Sequence, residues 1–241
     1  MAGQRPSDAG TSALWFNPLD GGPGSRRALS RERVVAEALA IIAADSAQAL
    51  SMRALAARLG VVPSALYRYV RGKEQLYDLV LDAVLGEVDC RADADAPWTA
   101  QVASLAHRLR AVLESHPGTA ALLKTRDPLS PTSLDLAEAF LAPLLAAGLP
   151  DREAALAFRV IYDYTIGFAL ADPTSPAEQR LHDTATVEQL HAFFRALPVD
   201  RFPALSACGL HAWDGDRDQR FTAGIETLLR GIEAYQPGPG G

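Results

Sequence analysis

SMRALAARLGVVPSALYRYVRGK, residues 51–73, reads as two short helices joined by a tight turn. Apolar residues recur at helical spacing on both sides of Gly60, and Pro63 stands where a helix can begin, since its missing N–H is no loss in a first turn. Ser51 is the expected N-cap of the first helix, and Leu55, Ala56 and Leu59 give it one buried face. Gly60 ends that helix because glycine accepts the left-handed conformation, and Val61 plugs the angle between the two helices. In the second helix Leu66 and Val70 point inward, leaving Ser64, Ala65, Tyr67, Arg68, Tyr69 and Arg71 on its other faces. Small side chains let the first turn of a helix sit deep in a DNA major groove, while Tyr hydroxyls and Arg guanidinium groups reach phosphates or guanine edges. The plainer reading of the same residues is a helical hairpin with a solvated face.

The charge distribution favours the DNA reading. The chain of 241 residues carries a net charge of −6, which looks wrong for a DNA binder until it is divided. Residues 26–75 hold nine basic side chains against four acidic ones, residues 1–25 sum to −1, and residues 76–241 to −10. Positive charge is concentrated where the helix-turn-helix lies, as phosphate neutralisation requires, and the acidic remainder stays off the duplex.

Residues 1–28 are rich in Gly, Pro, Ser and Asp and read as a flexible arm, with Trp15 and Phe16 the exceptions and Arg26 and Arg27 at its end. A first helix is expected from Ser30, its N-cap, to Ala44, with Val34, Val35, Ala38, Leu39 and Ile42 inward. A fourth begins near Lys73 and runs toward Val88. A polar link, DCRADADAP, follows at residues 89–97. Beyond it the pattern predicts helices over 98–115, 119–124, 132–147, 151–171, 186–196 and 216–235, a mobile loop over 173–185 and irregular chain over 198–215. Along 151–171 the inward residues Ala155, Phe158, Ile161, Tyr162, Thr165, Ile166 and Ala169 spread widely, so that helix is expected to be buried on more than one side. The fold class is therefore all-α: a flexible arm at 1–28, a three-helix DNA-binding head at 29–88 and a larger helical bundle at 97–236.

LSMRALAARLGVVPSALYRYVRGKEQLYDLVLDAV, residues 50–84, resembles the head of the tetracycline-repressor (TetR) family of bacterial regulators. The family's ungapped pattern is met at Leu50, Arg53, Leu55, Ala56, Leu59, Gly60, Val61, Leu66, Tyr67, Val70, Lys73, Leu76 and Asp78, and the later helix spacing is similar to the branch nearest the tetracycline repressor. The resemblance implies a homodimer on a palindromic double-stranded DNA operator, released by a small-molecule effector. It places Arg53 against a base edge or phosphate, Pro63, Ala65, Arg68 and Tyr69 on the groove side of the recognition helix, and Tyr67 and Lys73 on phosphates. It also implies that the helices over 151–171 and 216–235 of two subunits form a four-helix interface.

The bundle core offers Leu105, Leu109, Leu113, Leu122, Phe140, Leu144, Phe158, Tyr162 and Phe168 as apolar lining for an effector, with His116, Arg159 or Tyr164 as polar anchors. Tetracycline repressors hold a magnesium–drug complex through a histidine of the body. This sequence has Leu122 or Leu123 near that position and Asp89 where another polar drug contact is expected, two departures that count against tetracycline as the effector.

No Gly-rich phosphate loop, no His and Cys cluster and no nucleophile motif occurs, so neither catalytic residues, a metal site nor a cofactor is expected. Cys90 and Cys208 belong to no metal spacing, no apolar run reaches membrane-spanning length, and no secretory leader opens the chain; a cytoplasmic protein with no membrane partner is the expectation. Two functions remain: a ligand-responsive repressor, or an all-helical enzyme or carrier with a vestigial head.

Overall fold

A computed structural model of the protein describes residues 29–126, 129–171, 184–209, 211 and 216–234. Among the described residues there are eleven helices and no strand. They are α1 (Arg31–Asp45), α2 (Met52–Leu59), α3 (Pro63–Leu66), α4 (Lys73–Leu85), α5 (Trp98–Ser115), α6 (Thr119–Thr125), α7 (Pro131–Ala146), α8 (Asp151–Ala169), α9 (Thr184–Arg195), α10 (Pro203–Cys208) and α11 (Arg217–Ala234). They group into two compact units, one ending at Ile166 and the other starting at Gly167.

In the first unit, helix ends fall where the local chemistry puts them. The Ser30 hydroxyl accepts from the Arg33 N–H at 3.2 Å and the Ser51 hydroxyl from the Ala54 N–H at 3.1 Å, each satisfying an orphan donor of a first turn. At the end of α2, Gly60 takes φ 70° and the Val61 N–H bonds back to the Ala56 carbonyl at 3.0 Å. Pro63 opens α3, which holds four helical residues before the chain tightens; the Tyr69 and Val70 N–H groups both return to the Leu66 carbonyl, at 2.9 and 3.0 Å. Leu66 and Val70 are thereby buried together, as their spacing predicts.

Val34, Ala38, Ile42, Leu50, Leu55, Leu66, Leu76 and Val80 form one apolar core in which α1 packs on α2 and α4, and α2 on α3. Each buried leucine there contributes about 1.5–3 kcal/mol relative to exposure. The Tyr77 hydroxyl donates to the Ala47 carbonyl at 2.5 Å and so holds the α1–α2 connection against α4. Helix α4 also packs on α5, α6 and α7. At the α5–α6 turn Gly118 takes φ 86°, and a Cβ there would lie 3.0 Å from Ile42 Cγ2, so the end of α1 abuts this turn. Ser130 and Ser133 cap the start of α7 reciprocally.

Two expectations for α8 need correction. The helix ends at Ala169, and its buried stripe is Ala154, Ala157, Ile161, Tyr162, Thr165 and Ile166, with Ala155 exposed. A small apolar residue fits either phase of the wheel, and the larger neighbours decide it.

In the second unit, the Phe168 and Phe221 rings meet edge-on at 5.1 Å, the Arg217 guanidinium covers Phe168 at 4.5 Å, and Arg217 Nη2 donates to the Phe168 carbonyl at 2.6 Å. Helix α11 buries Phe221, Ile225 and Leu229. The stretch 198–215, expected to be irregular, contains α10, which begins at Pro203 and stops at Gly209. Helix α9 starts at Thr184, two residues earlier than its pattern predicts. The expected arm over 1–28 with Trp15, Phe16, Arg26 and Arg27, residues 173–183 of the loop expected over 173–185, and Tyr235 lie outside the described residues. Among the described residues no helix is long and apolar enough to cross a membrane.

The two left-handed glycines separate backbone strain from packing. Around Gly60 an added Cβ meets nothing within 4 Å, whereas at Gly118 it meets Ile42. Gly60→Ala should cost about 1 kcal/mol, from φ alone, and Gly118→Ala about 2 kcal/mol or more. Urea unfolding midpoints of the two variants check this, and equal losses would contradict the close approach of α1.

Candidate nucleic-acid interface and ligand core

On the head, Arg53 on α2 and Pro63, Ser64, Tyr67, Arg68 and Arg71 around α3 are all exposed, Tyr67 at 57 %. An exposed tyrosine of that size beside exposed guanidinium groups is a surface able to donate to phosphates and stack on sugars. Ala65 is half-buried. Lys73, the first residue of α4, lies with its Nζ 5.2 Å from the centre of the Tyr77 ring. The start of α4 is organised by Gln75, whose side-chain oxygen accepts from the Arg71 N–H at 2.6 Å.

Tyr69 departs from the groove-facing role that the resemblance implies. It is half-buried, and its hydroxyl donates to the Leu29 carbonyl at 2.6 Å, which fixes the chain entering α1. Its proton is committed inside the head.

Several polar links run from α4 and its continuation to the helices of the body. Arg126, just after α6, donates from Nε and Nη2 to Asp78 Oδ1 at 3.0 and 2.8 Å and from Nη1 to the Glu74 carboxylate. Burial works against its charge, and the hydrogen bonds to Glu74 and Asp78 outweigh it, so the guanidinium holds its proton more tightly than usual. Thr132, in the first turn of α7, donates from its hydroxyl to the Asp82 carbonyl at 3.0 Å and to its carboxylate, and from its N–H to Oδ1 at 3.3 Å. His116 Nε2 meets Glu87 Oε2 at 2.8 Å. In the link, hydrogen bonds from the side chain and then the backbone of Arg91 hold the Asp89 carboxyl well below the usual carboxylate range.

Most of the side chains expected to line a ligand site lie in the buried core of the first unit. Leu105, Leu109 and Leu113 from α5, Leu122 from α6, Phe140 and Leu144 from α7 and Tyr162 from α8 are buried. Phe158, half-buried, lies between Phe140 at 5.7 Å and Tyr162 at 5.5 Å, an aromatic run shared by two helices. Phe168 belongs to the second unit, against Phe221. Two expected polar anchors are engaged elsewhere. Arg159 has a side chain 55 % exposed and pairs with Asp163 one turn along α8 at 2.9 Å, so it faces outward. His116 is held by Glu87.

Sequence reasoning missed Arg110. It is buried on α5 with its Nε 3.5 Å from Glu114 Oε2. Tyr164, also an expected anchor, has a phenol pushed up by burial and drawn partly back by the Arg110 charge. The signal was available in the spacing: position 110 lies four after Ala106 and three before Leu113, on the inward stripe of α5. Among the described residues no group of three or more His, Cys, Asp or Glu side chains is placed to hold a metal ion.

Comparison with known proteins matches residues 34–80 to the bacterial regulatory proteins of the tetR family and residues 92–236 to the tetracyclin repressor-like C-terminal domain. An HTH-type transcriptional regulator of Saccharopolyspora erythraea is 31 % identical over 228 residues, covering 95 % of this chain and 94 % of the relative. The HTH-type transcriptional repressor DrrR1 of Streptomyces coeruleorubidus is 30 % identical over 225 residues, 91 % of this chain and 83 % of the relative. Among solved structures, the Streptomyces coelicolor protein ActR in complex with actinorhodin superposes with a TM-score of 0.74 at 31 % identity, over 86 % of this chain and 98 % of ActR.

The contrast between Phe140 and Arg159 tests the placement of the core. Phe140→Ala should lower stability by about 3–5 kcal/mol, and Arg159→Ala, at an exposed pair, by less than about 0.5 kcal/mol. Chemical denaturation of both variants measures this, and a large loss for Arg159→Ala would return that residue to the interior.

Proposed function

The chain belongs to the TetR family of bacterial regulatory proteins and is a ligand-responsive, DNA-binding transcriptional regulator, and we propose that it works as a cytoplasmic repressor: a homodimer that binds a palindromic operator through a head at 29–88 and is released by a small apolar or amphipathic effector held in a body at 97–236. In this reading Arg53 and Arg68 contact base edges or phosphates, Tyr67 and Lys73 contact phosphates, and Pro63 and Ala65 read thymine methyl groups or groove shape. Tyr69 acts from behind, bracing the start of α1 through Leu29. The observation that carries the proposal is the exposure of Arg53 on α2, Pro63 on α3, and Tyr67 and Arg68 in the turn just after α3, in an intact helix-turn-helix.

One requirement and one feature of the chain support a dimer. A palindromic site needs two heads at fixed separation. Leu156 and Val160, one turn apart on α8, are exposed apolar side chains on a face that a second copy would cover. The aromatic run of Phe140, Phe158 and Tyr162 supports an effector with apolar surface, and the solved relative bound to actinorhodin supports small-molecule control. Leucines at 122 and 123 disfavour the magnesium–tetracycline complex. The effector acts by binding the DNA-free state more tightly than the DNA-bound state; a tenfold difference corresponds to about 1.4 kcal/mol. The all-helical enzyme or carrier is not favoured, because the head keeps every position of its pattern from Leu50 to Asp78.

Fluorescence anisotropy with duplexes from the DNA flanking the protein's own coding region, run as a salt series, tests this. Specific binding should appear with a steep salt slope that falls by about one in Lys73→Ala, and Tyr67→Ala should weaken binding at every salt concentration. Equal affinity for all duplexes, or none, would contradict an operator-binding head.

A further inference from the structure

We propose that Arg126, a residue of the body, belongs to the DNA-binding machinery as a charge cover: it offsets the negative charge that Glu74 and Asp78 place beside Lys73, and operator affinity depends on its staying there. The inference rests on the reading of the chain as an operator-binding regulator and adds to it a residue that lies outside the helix-turn-helix.

Lys73 and Glu74 open α4 next to each other, and Asp78 follows one turn later. The cation proposed to contact phosphate thus has two carboxylates at its side. Glu74 is the more exposed, its side chain 75 % accessible, and would face the same solvent layer as a bound duplex. A bare carboxylate there would oppose the phosphate backbone, because exposed charges act on one another over a Debye length of about 8 Å at physiological salt.

The cover comes from the residue just after α6. The Arg126 guanidinium bonds to both carboxylates and donates from Nη2 to the Glu74 carbonyl at 3.3 Å. It also stacks over the Tyr77 ring at 5.6 Å, the ring that Lys73 approaches at 5.2 Å. Only 22 % of its side chain is accessible, so it is held by its partners on α4 and by the ring. This fork makes Arg126 a fixed counter-charge, which a lysine on a flexible stem would match in sign alone.

Position gives the contact a regulatory sense. Arg126 follows directly on α6, whose Leu122 and Leu123 are buried in the body, so displacement of α6 by an occupant of the core would pull at the guanidinium. Withdrawal would restore negative charge at the DNA-facing end of α4.

The test compares operator binding of wild type, Arg126→Gln, Glu74→Gln and the double variant at low and high salt, with thermal melts to confirm folding. Arg126→Gln should bind roughly tenfold more weakly at low salt, the double variant should return to within about threefold of wild type, and the gap should close as salt rises. A residue that merely staples α4 to the body would give no rescue when its remaining partner is removed as well. Wild-type affinity in Arg126→Gln, no rescue in the double variant, or a gap indifferent to salt overturns the proposal. If Arg126→Gln does not fold, Arg126→Lys replaces it: binding within about threefold of wild type supports a role in charge, and a tenfold loss in the folded protein overturns it. Wild type that binds no duplex specifically removes the operator reading and this proposal together, whereas wild type that binds alongside indifferent variants removes the role of Arg126 alone.

Discussion

Helix α4 is buried nearly all the way round, and the rest of the first unit follows from that. Seven of its thirteen residues are buried, from Leu76 to Leu85, and they do not form one stripe. A helix apolar around most of its circumference has to be enclosed around most of it. Here α1 encloses it from the head, and α5, α6 and α7 from the body. Helix α4 is therefore shared between α1 on one side and α5, α6 and α7 on the other, and neither set can shift without repacking the other. Close-packed interiors respond to such strain by moving between discrete arrangements, which suits a regulator.

The polar contacts along α4 follow from the same enclosure. Glu74, Asp78 and Asp82 recur at four-residue spacing on one side of the helix, and Arg126 and Thr132 meet them from the segments flanking the α6–α7 connection. An acidic row of this kind on an otherwise apolar helix would be costly beside DNA without its partners. The charge asymmetry of the chain has the same character: a basic head on an acidic remainder, with one body arginine set at the seam.

What could be read from the sequence was the chemistry that acts over a few residues. Ser30 and Ser51 cap helices because a hydroxyl reaches an N–H three residues on, Gly60 stops α2 because only a left-handed residue closes that turn, and Leu66 and Val70 are buried as a pair because four residues make one turn. The head pattern between Leu50 and Asp78 was legible as a family because so many of its positions serve those local ends. The phase of α8 was misjudged at Ala155, where a methyl group carries too little area to mark a face. Helix α10 was missed because six residues containing only one large apolar side chain give no period to detect. The Arg126 contacts span 48 and 52 residues and the His116–Glu87 pair 29, and no single-sequence period records such pairings. Arg159 and Arg110 show the same limit from both sides: two arginines on helices, the outward one expected inside and the inward one passed over, because charge alone suggested a ligand anchor in one case and solvent in the other.

The contact of Gly118 with Ile42 bears on how such proteins can be recombined. Joining the head of one relative to the body of another invites a cut in the polar stretch between α4 and α5, where the chain is largely exposed. That cut leaves the transplanted α1 ending against a foreign α5–α6 turn, where even a Cβ at position 118 would press on Ile42. A workable chimera must therefore carry matched residues at 42 and 118, so the exchangeable module is defined by a surface and not by a position along the chain.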